Sequence, residues 1–524
     1  MDGLIMDYQL TIPAILRRAD ALYGGREIVS RRPDKSLHRY TYRHMVERAK
    51  RLALALTALG VQRGDRVATL AWNHHQHLEA YFGIPASGAV LHTLNLRLHP
   101  DDLCYIMGHA GDKVLLVDDV LLPLYEKLRD RIDVQRVVVI PTSGQPVPEG
   151  LLDYEQVLNG VDPTAFAYPE IDEREAAAMC YTSGTTGRPK GVLYSHRAIS
   201  LHSLSSAQRD VLDIGEADTV VPVVPMFHAN AWGLPFTCTM VGSKQVFPGP
   251  HLDPASLLDL FQSERVTITA GVPTIWLGIL NALDASPNTY DLNLRTLIVG
   301  GQAAPKSMIQ GFQERHGLTV VHAWGMTEMA PVGTVARLSG PLREASADDQ
   351  LTYRAKQGQP APFIEIRARS ETGLVPWDGA SMGELEVQGP WVASSYHDCS
   401  EGEDRFTDDG WFRTGDIVTI DSRGYVEVQD RAKDVIKSGG EWISSVAIEN
   451  TLMGHPSVAE AVIIAVPHPK WGERPLAVVV LKQGKAATAG DLIAFLERDF
   501  ARWWIPDGVE FVEAIPRSSV GKFL

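Results

Sequence analysis

The sequence predicts an α/β protein: a large N-terminal domain of layered βαβ sub-domains, followed by a small, mobile α+β domain acting as a lid. Three observations carry this. At 524 residues the chain is too long for a single core. Short apolar runs alternate with segments of helical period through its first third, the pattern of parallel strands covered on both faces by helices. After a charged turn, D-R-A-K-D at residues 430–434, the remaining chain to residue 524 reads as a separate mixture of short helices and strands.

Residues 40–60 place apolar side chains at helical spacing, and Gly60 makes a C-cap. A buried strand is expected at 67–72, a helix at 77–90, a strand at 114–117, a helix at 121–131 and a strand at 137–140. The Pro/Gly-rich stretch 141–150 reads as a surface connection. A helix follows at 197–210. In V-V-P-V-V-P-M-F-H-A-N-A-W-G-L-P-F, Pro222 and Pro225 exclude a central ladder strand and suggest an extended wall. Further buried strands are expected at 268–272, 297–299 and 318–323. In the small domain a helix is expected at 446–453, strands at 459–466 and 476–481, a helix at 489–503 and a last strand at 509–512.

A formal charge of −15 argues against nucleic acid or an anionic membrane as the main partner. Cys104, Cys180, Cys238 and Cys399 show no C-x-x-C spacing, so neither a metal cluster nor a disulfide framework is implied, which suits a reducing cytoplasm. The first residues carry acids and no basic region before an apolar core, so no signal peptide is expected. The longest apolar runs are short and broken by proline, so no membrane-spanning helix is expected.

The most informative run is M-C-Y-T-S-G-T-T-G-R-P-K-G-V-L-Y-S-H at residues 179–196. Hydroxyls at Thr182, Ser183, Thr185 and Thr186 alternate with Gly184 and Gly187, and Lys190 closes the run. Glycines let several N–H groups converge on one concavity, hydroxyls donate to anionic oxygens, and lysine adds a mobile point charge. The loop is built for phosphate and joins two strands. The P-loop NTPase pattern needs Lys directly after Gly and before Ser or Thr, whereas Pro189 and Gly191 flank Lys190 here. A merely flexible loop would not need a hydroxyl at nearly every other position.

Other segments carry weaker signals. Met226, Phe227, Ala231, Trp232 and Phe236 could line an apolar pocket, with His228 as either a core histidine or a catalytic one. G-G-Q-A-A-P at residues 300–305 would let a flat ring approach the backbone. W-G-M-T-E at 324–328 follows a strand, where open parallel sheets place ligands. Glu328 suits Mg²⁺ on a triphosphate and Thr327 an α-phosphate, although a T-E pair also caps helices. T-G-D at 414–416 and G-G at 439–440 would be ordinary turns by themselves.

Taken together and in this order, from residue 40 to Lys522, these segments resemble the acyl-adenylate-forming (ANL) superfamily. They are most similar to its medium- and long-chain fatty acyl-CoA synthetases. The resemblance implies an AMP-forming acid–thiol ligase that uses ATP, Mg²⁺ and CoA as co-substrate. A hydrophobic medium- or long-chain fatty acid, or a related acid, would become an acyl-AMP and then a thioester. It implies that the loop from Thr182 to Lys190 holds the β- and γ-phosphates, and that Gly301, Gln302 and Ala303 meet the adenine. Trp324, Gly325, Thr327 and Glu328 would serve ATP and its metal. Asp416 would take both ribose hydroxyls and Arg431 ribose and phosphate. Phe227, His228, Trp232, Gly300 and Gly325 would surround the acyl group, Trp232 as its gate. Lys433 would be the hinge between residues 1–431 and 432–524. Lys522 would bridge the carboxylate and α-phosphate in the first step. In the second, Lys437, Gly439, Gly440, Glu441 and Trp442 would face CoA.

Dimers occur among relatives, so the resemblance allows a homodimer. Two departures stand out. Ala229 occupies a position where Val is expected, and the sequence ends at Leu524 where relatives continue into a basic helix, which puts the tethering of Lys522 in question. Two alternatives remain: an amide-forming ligase that passes the same acyl-AMP to an amine, and a non-catalytic acyl- or nucleotide-binding protein.

Overall fold

The computed structural model describes residues 1, 3–182, 188–400, 402–438 and 441–516, with no account of the Glu441 side chain. Among these residues four sheets organise the chain. The largest has nine strands, in the order Gln359–Pro360, Val332–Val335, Thr319–Gly325, Thr296–Val299, Ile268–Gly271, Thr219–Pro222, Lys244–Phe247, Glu27–Arg31 and Leu37–Thr41. Its six central strands are parallel, and antiparallel strands close both edges. The second sheet orders Leu152–Asp153, Arg136–Ile140, Asp112–Asp118, Arg66–Leu70, Val90–Thr93, Ala176–Tyr181 and Gly191–Ser195. It is parallel until its last pair, Ala176–Tyr181 with Gly191–Ser195, which is antiparallel.

Helices Tyr42–Ala58 and His75–Ala86 bury an apolar face between the two large sheets, with Met45, Leu52, Leu78, Tyr81 and Phe82 in one continuous core. A third sheet of five antiparallel strands spans residues 365–431, from Glu365–Ser370 to Val426–Arg431. The fourth belongs to the C-terminal unit. Glu441–Ile443, Ile436–Ser438, Gly472–Leu481 and Val458–His468 pair antiparallel, and Gly508–Phe511 adds in parallel. That unit has its own core, built from Ile436, Ile448, Leu452, Ala477, Val479 and Leu492.

Several expectations need correction. Thr219–Pro222 is a central strand, flanked by Ile268–Gly271 and Lys244–Phe247. Pro222 is tolerated because it is the last residue, and Val223 and Val224 beyond it both donate to the Ala270 carbonyl at 3.0 and 2.9 Å. The helix expected at 77–90 stops at Ala86. Gly88 takes φ +83° and Val90 starts a strand. Residues 121–131 form only a short helix, Leu122–Tyr125, between 3₁₀ turns at Asp119–Leu121 and Arg129–Arg131. The helix expected at 489–503 ends at Leu496, beyond which Trp504 folds back to stack on Phe500, with ring centroids 5.6 Å apart. The five-stranded antiparallel sheet adds a layer to the expected βαβ sub-domains.

Candidate active site

The loop read as a phosphate cradle is held at its neck. Tyr181 and Gly191 pair across the antiparallel strands. The Thr182 N–H donates to the Lys190 carbonyl at 2.9 Å, and the Lys190 N–H donates to Thr182 Oγ1 at 3.1 Å. Gly191 packs closely there: a Cβ would lie 2.5 Å from Met179 Cε and 3.0 Å from Tyr181 Cζ, so both side chains would have to shift. Ser183, Gly184, Thr185, Thr186 and Gly187 lie outside the described residues. Lys190 Nζ sits 5.2 Å from the centroid of the Tyr396 ring.

Strand Thr319–Gly325 delivers the second group. Gly325 has no room for a side chain, since a Cβ would come within 2.0 Å of the Pro331 carbonyl. Thr327 and Glu328 follow in a buried 3₁₀ turn. The Tyr194 hydroxyl, on the strand leaving the loop, donates to the Thr327 carbonyl at 2.6 Å and joins the two segments. Glu328 accepts the Tyr396 hydroxyl on Oε1 at 2.7 Å, and its carbonyl accepts the Ala393 N–H at 2.7 Å. Among the described residues, buried Glu328 enters no ion pair and no three His, Cys, Asp or Glu side chains cluster as a metal site. A buried carboxylate without a protein cation fits a hard divalent ion shared with a polyphosphate, which completes its shell with phosphate oxygens and water.

Asp416 forms the third group. It lies on the strand Phe412–Ile420, opposite Arg431. Its Oδ2 accepts the Trp324 indole N–H at 2.9 Å, and its Oδ1 pairs with Arg431 Nε at 3.0 Å. Trp324 thereby links the nine-stranded sheet to the five-stranded one. The acid expected to hold ribose is paired with the arginine expected to help it.

Gly300 and Gly301 close the floor. A Cβ on Gly300 would meet the Ala323 carbonyl at 3.0 Å and Trp232 Cη2 at 3.1 Å, and Gly301 takes φ +81°. The His322 ring lies 3.4 Å from the Gln302 carbonyl, and Ala303 follows it, partly exposed. Phe227 and His228 line, with Thr93, Tyr181 and Thr182, a cavity of only about 10 Å³. Beyond it Ala229, Asn230, Ala231 and Trp232 take φ of 42, 52, 51 and 57°, a left-handed turn of four non-glycine residues. The turn is held by buried Asn230, which touches Cys180 Sγ at 3.5 Å and Tyr81 Oη at 3.4 Å, and it lays Trp232 on Gly300.

Lys433 lies in the exposed turn between Val426–Arg431 and Ile436–Ser438, 4.0 Å from Asp434. Lys437 and Trp442 are cross-strand neighbours in the following hairpin. Gly439, Gly440 and Lys522 lie outside the described residues, and Glu441 is placed by its backbone alone. Where the helix Ser445–Met453 meets the strand Val426–Arg431, burial pushes the Asp430 carboxyl up to about 6 and Glu449 up to about 8.

Sequence reasoning missed Tyr396, Asn230 and Tyr81. Tyr194 was inside the quoted run, but its tie to Thr327 depends on the strand pairing. Tyr396 lies in S-S-Y-H-D, a stretch without periodicity or charge pattern.

A loop neck at Thr182 and Lys190, a buried acid that enters no ion pair among the described residues and a buried carboxylate paired with Arg431 adjoin on three sheets, the arrangement of an α/β enzyme site. The chain belongs to the AMP-binding enzyme family, whose profile matches residues 16–397, with the AMP-binding enzyme C-terminal domain matching 447–522. It is 50% identical to the long-chain-fatty-acid–CoA ligase of Thermus thermophilus, covering 99% of this chain and 95% of that one. It is 44% identical to the 3-methylmercaptopropionyl-CoA ligase of Ruegeria lacuscaerulensis, covering 100% and 97%. The crystal structure of the anthranilate CoA ligase AuaEII in complex with anthranoyl-AMP superposes with a TM-score of 0.87 at 25% identity, over 100% of this chain and 97% of that one.

Proposed function

We propose that this protein is an ATP-dependent, AMP-forming acyl-CoA synthetase acting on a hydrophobic carboxylic acid, a medium- or long-chain fatty acid or a related one. The observation that carries the reading is the meeting of the loop neck at Thr182 and Lys190, buried Glu328, and the Trp324–Asp416–Arg431 cluster across three sheets.

In the first step a carboxylate oxygen attacks the α-phosphorus of ATP and the bond to pyrophosphate breaks, leaving acyl-AMP. The chain's work is to position and to neutralise charge. The loop and Lys190 hold the β- and γ-phosphates, Thr327 meets the α-phosphate, and Asp416 and Arg431 fix the ribose. Gly301, Gln302 and Ala303 pack against the adenine. Lys522 bridges the carboxylate and the α-phosphate. Glu328 would hold Mg²⁺, which when bound offsets charge on the leaving pyrophosphate.

In the second step the CoA sulfur attacks the acyl carbon, the carbon–oxygen bond to AMP breaks, and the thiol proton passes to solvent. The lid, residues 432–524, turns at Lys433 and brings Lys437, Gly439, Gly440, Glu441 and Trp442 to the site. Phe227, His228, Trp232 and Gly300 bound the acyl pocket. Trp232 lies against Gly300 and gates the pocket, and its displacement would open the way for a long chain. Ala229, smaller than the valine expected there, leaves room for a ring or a branch.

Among the described residues no helix is long and apolar enough to cross a membrane. Among the described residues the cysteines form no disulfide, which suits the reducing cytoplasm where ATP and CoA are supplied. A homodimer is part of the reading, tested by sedimentation. The decisive experiment grades acids by length and ring content and measures pyrophosphate release with CoA, with amino acids, and with neither. Acid-dependent release with a CoA thioester as product supports the reading. Amide products would move the protein to the amide ligases, and no acyl-AMP with any acid would refute it.

A further inference from the structure

We propose that Tyr396 is a positioning residue for the triphosphate and its cation, a spacer that holds Lys190 and Glu328 in one site while keeping them from neutralising each other. This rests on the function proposed above and assigns a task to a residue outside every motif of the loop and the T-E turn.

Residues 391–397 form a strap between those two segments. Trp391 Nε1 donates to the Val332 carbonyl at 3.0 Å, Ala393 N–H to the Glu328 carbonyl at 2.7 Å, and His397 N–H to the Gly191 carbonyl at 2.9 Å. The strap therefore fixes the main chain beside Glu328 at one end and beside the loop's exit strand at the other. Between these ties Tyr396 uses both parts of its side chain. Its hydroxyl donates to Glu328 Oε1 at 2.7 Å, and its ring carries Lys190 Nζ 5.2 Å from the centroid. Phe406 packs edge-on against the ring at 5.6 Å and 70°, which sets its plane.

Gly402 completes the arrangement. It takes φ +87°, which disfavours any side chain, and a Cβ would fall 2.7 Å from Lys190 Nζ and 3.2 Å from Tyr396 Cε2, displacing the ammonium from the ring.

The geometry answers a specific problem. A lysine and a glutamate serving one triphosphate attract each other when the nucleotide is absent, and a direct pair would have to be broken before phosphate and cation could bind. A phenol between them offers each a weaker neutral partner: a cation–π contact for the ammonium and one hydrogen bond for the carboxylate. Among the described residues neither Lys190 nor Glu328 enters an ion pair, and each instead meets one part of the Tyr396 side chain.

The test compares Tyr396→Phe with Tyr396→Leu by calorimetric titration of magnesium–ATP and of metal-free ATP, with thermal melts to check the fold. Tyr396→Phe keeps the ring and loses the hydroxyl: magnesium–ATP should bind about tenfold more weakly, while metal-free ATP is unchanged. Tyr396→Leu loses both contacts and should weaken metal-free ATP as well. Conversion of supplied acyl-AMP and CoA to thioester should stay within about twofold of wild type in both variants, since no triphosphate takes part. A Glu328→Gln background should abolish the effect of Tyr396→Phe. Wild-type affinity for magnesium–ATP in Tyr396→Phe, or equal weakening with and without the metal, would overturn the proposal and leave Tyr396 a packing residue. Failure of the wild-type protein to bind ATP at all would instead overturn the function on which the proposal rests.

Discussion

Asp416→Asn tests where the nucleoside sits, because the substitution keeps the shape of the side chain and removes its charge. In the protein without nucleotide its cost is small. Asp416 is buried, but its ion-pair partner Arg431 is 40% exposed, so screening limits the lost pair to about 1 kcal/mol. With nucleotide bound the cost is larger. Two ribose hydroxyls donating to a carboxylate make two charge-assisted hydrogen bonds, each stronger than its neutral counterpart by roughly 1–1.5 kcal/mol. Asparagine has one acceptor oxygen, and the Trp324 N–H at 2.9 Å already competes for it, so the amide NH₂ must face a donor. The sum is about 2–3 kcal/mol, or roughly 30- to 150-fold in kcat/KM for ATP.

The assay is acid-dependent ATP–pyrophosphate exchange with ATP, 2′-deoxy-ATP and 3′-deoxy-ATP, in wild type and variant. Wild type should discriminate against each deoxynucleotide by about tenfold, and Asp416→Asn should reduce that discrimination toward unity. An equal loss on all three nucleotides would mean that Asp416 acts through the fold or through Arg431, and the ribose assignment would fall.

Other consequences follow from burial and packing. Trp232→Leu should shift the preference between long or ring-bearing acids and short ones by about tenfold while leaving the KM for ATP within twofold, because the ring covers Gly300 and not the loop neck. Competition between paired acids reads the ratio directly. Burial lowers His77 and His202 to about 3 and His196 to about 4. Their neutral forms contribute stability that is complete above pH 6.5 and is lost as pH falls toward those values. At pH 5 each costs about 2 kcal/mol relative to pH 7, so the urea midpoint should drop steeply over that interval. His202→Gln should flatten the drop. Glu449 behaves oppositely: its carboxyl is raised, so stability is lost as pH rises from about 4.5 through about 8. Its side chain keeps some contact with solvent, so Glu449→Gln should gain on the order of 1 kcal/mol at pH 8.5 and nothing at pH 4.5, read as a higher melting midpoint only at the alkaline end.

What was legible in the sequence follows from which signals are local. The phosphate loop announces itself because hydroxyls, glycines and a lysine are consecutive, and its placement between two strands follows from the apolar runs beside it. The βαβ alternation up to residue 140 is legible only in part: the strands near 67–70, 114–117 and 137–140 stand out as short apolar runs, whereas Val90–Thr93 is hidden because it follows the helix His75–Ala86 after a short turn. The five-stranded sheet is less legible: G-E-L-E-V-Q sets Leu385 and Val387 between polar neighbours, but Glu386 is itself buried and the period of two is too short to stand out. Pro222 misled for a physical reason. A proline ends a ladder without disrupting it when it is the final residue, and nothing in the one-dimensional pattern marks that position. The left-handed turn at Ala229–Trp232 is not legible, since Ala and Trp do not favour positive φ and a lone Asn does not mark four consecutive left-handed residues; buried contacts from Tyr81 and Cys180 help to hold it.

The same distinction explains why the site is sited on seams. Each motif is complete within one sheet, but none can act there. The loop belongs to the seven-stranded sheet, Glu328 to the nine-stranded one and Asp416 to the five-stranded one, and the hydrogen bonds Tyr194–Thr327 and Trp324–Asp416 bring the three into register. On the proposed reading Asp416 has a second consequence. Its Oδ1 holds Arg431, two residues before Lys433, so a ribose hydroxyl that takes part of that carboxylate loosens the arginine next to the hinge. Nucleotide binding and lid rotation then share one acid, and a variant that cannot ionise at that position should lose the link between them along with its ribose selectivity.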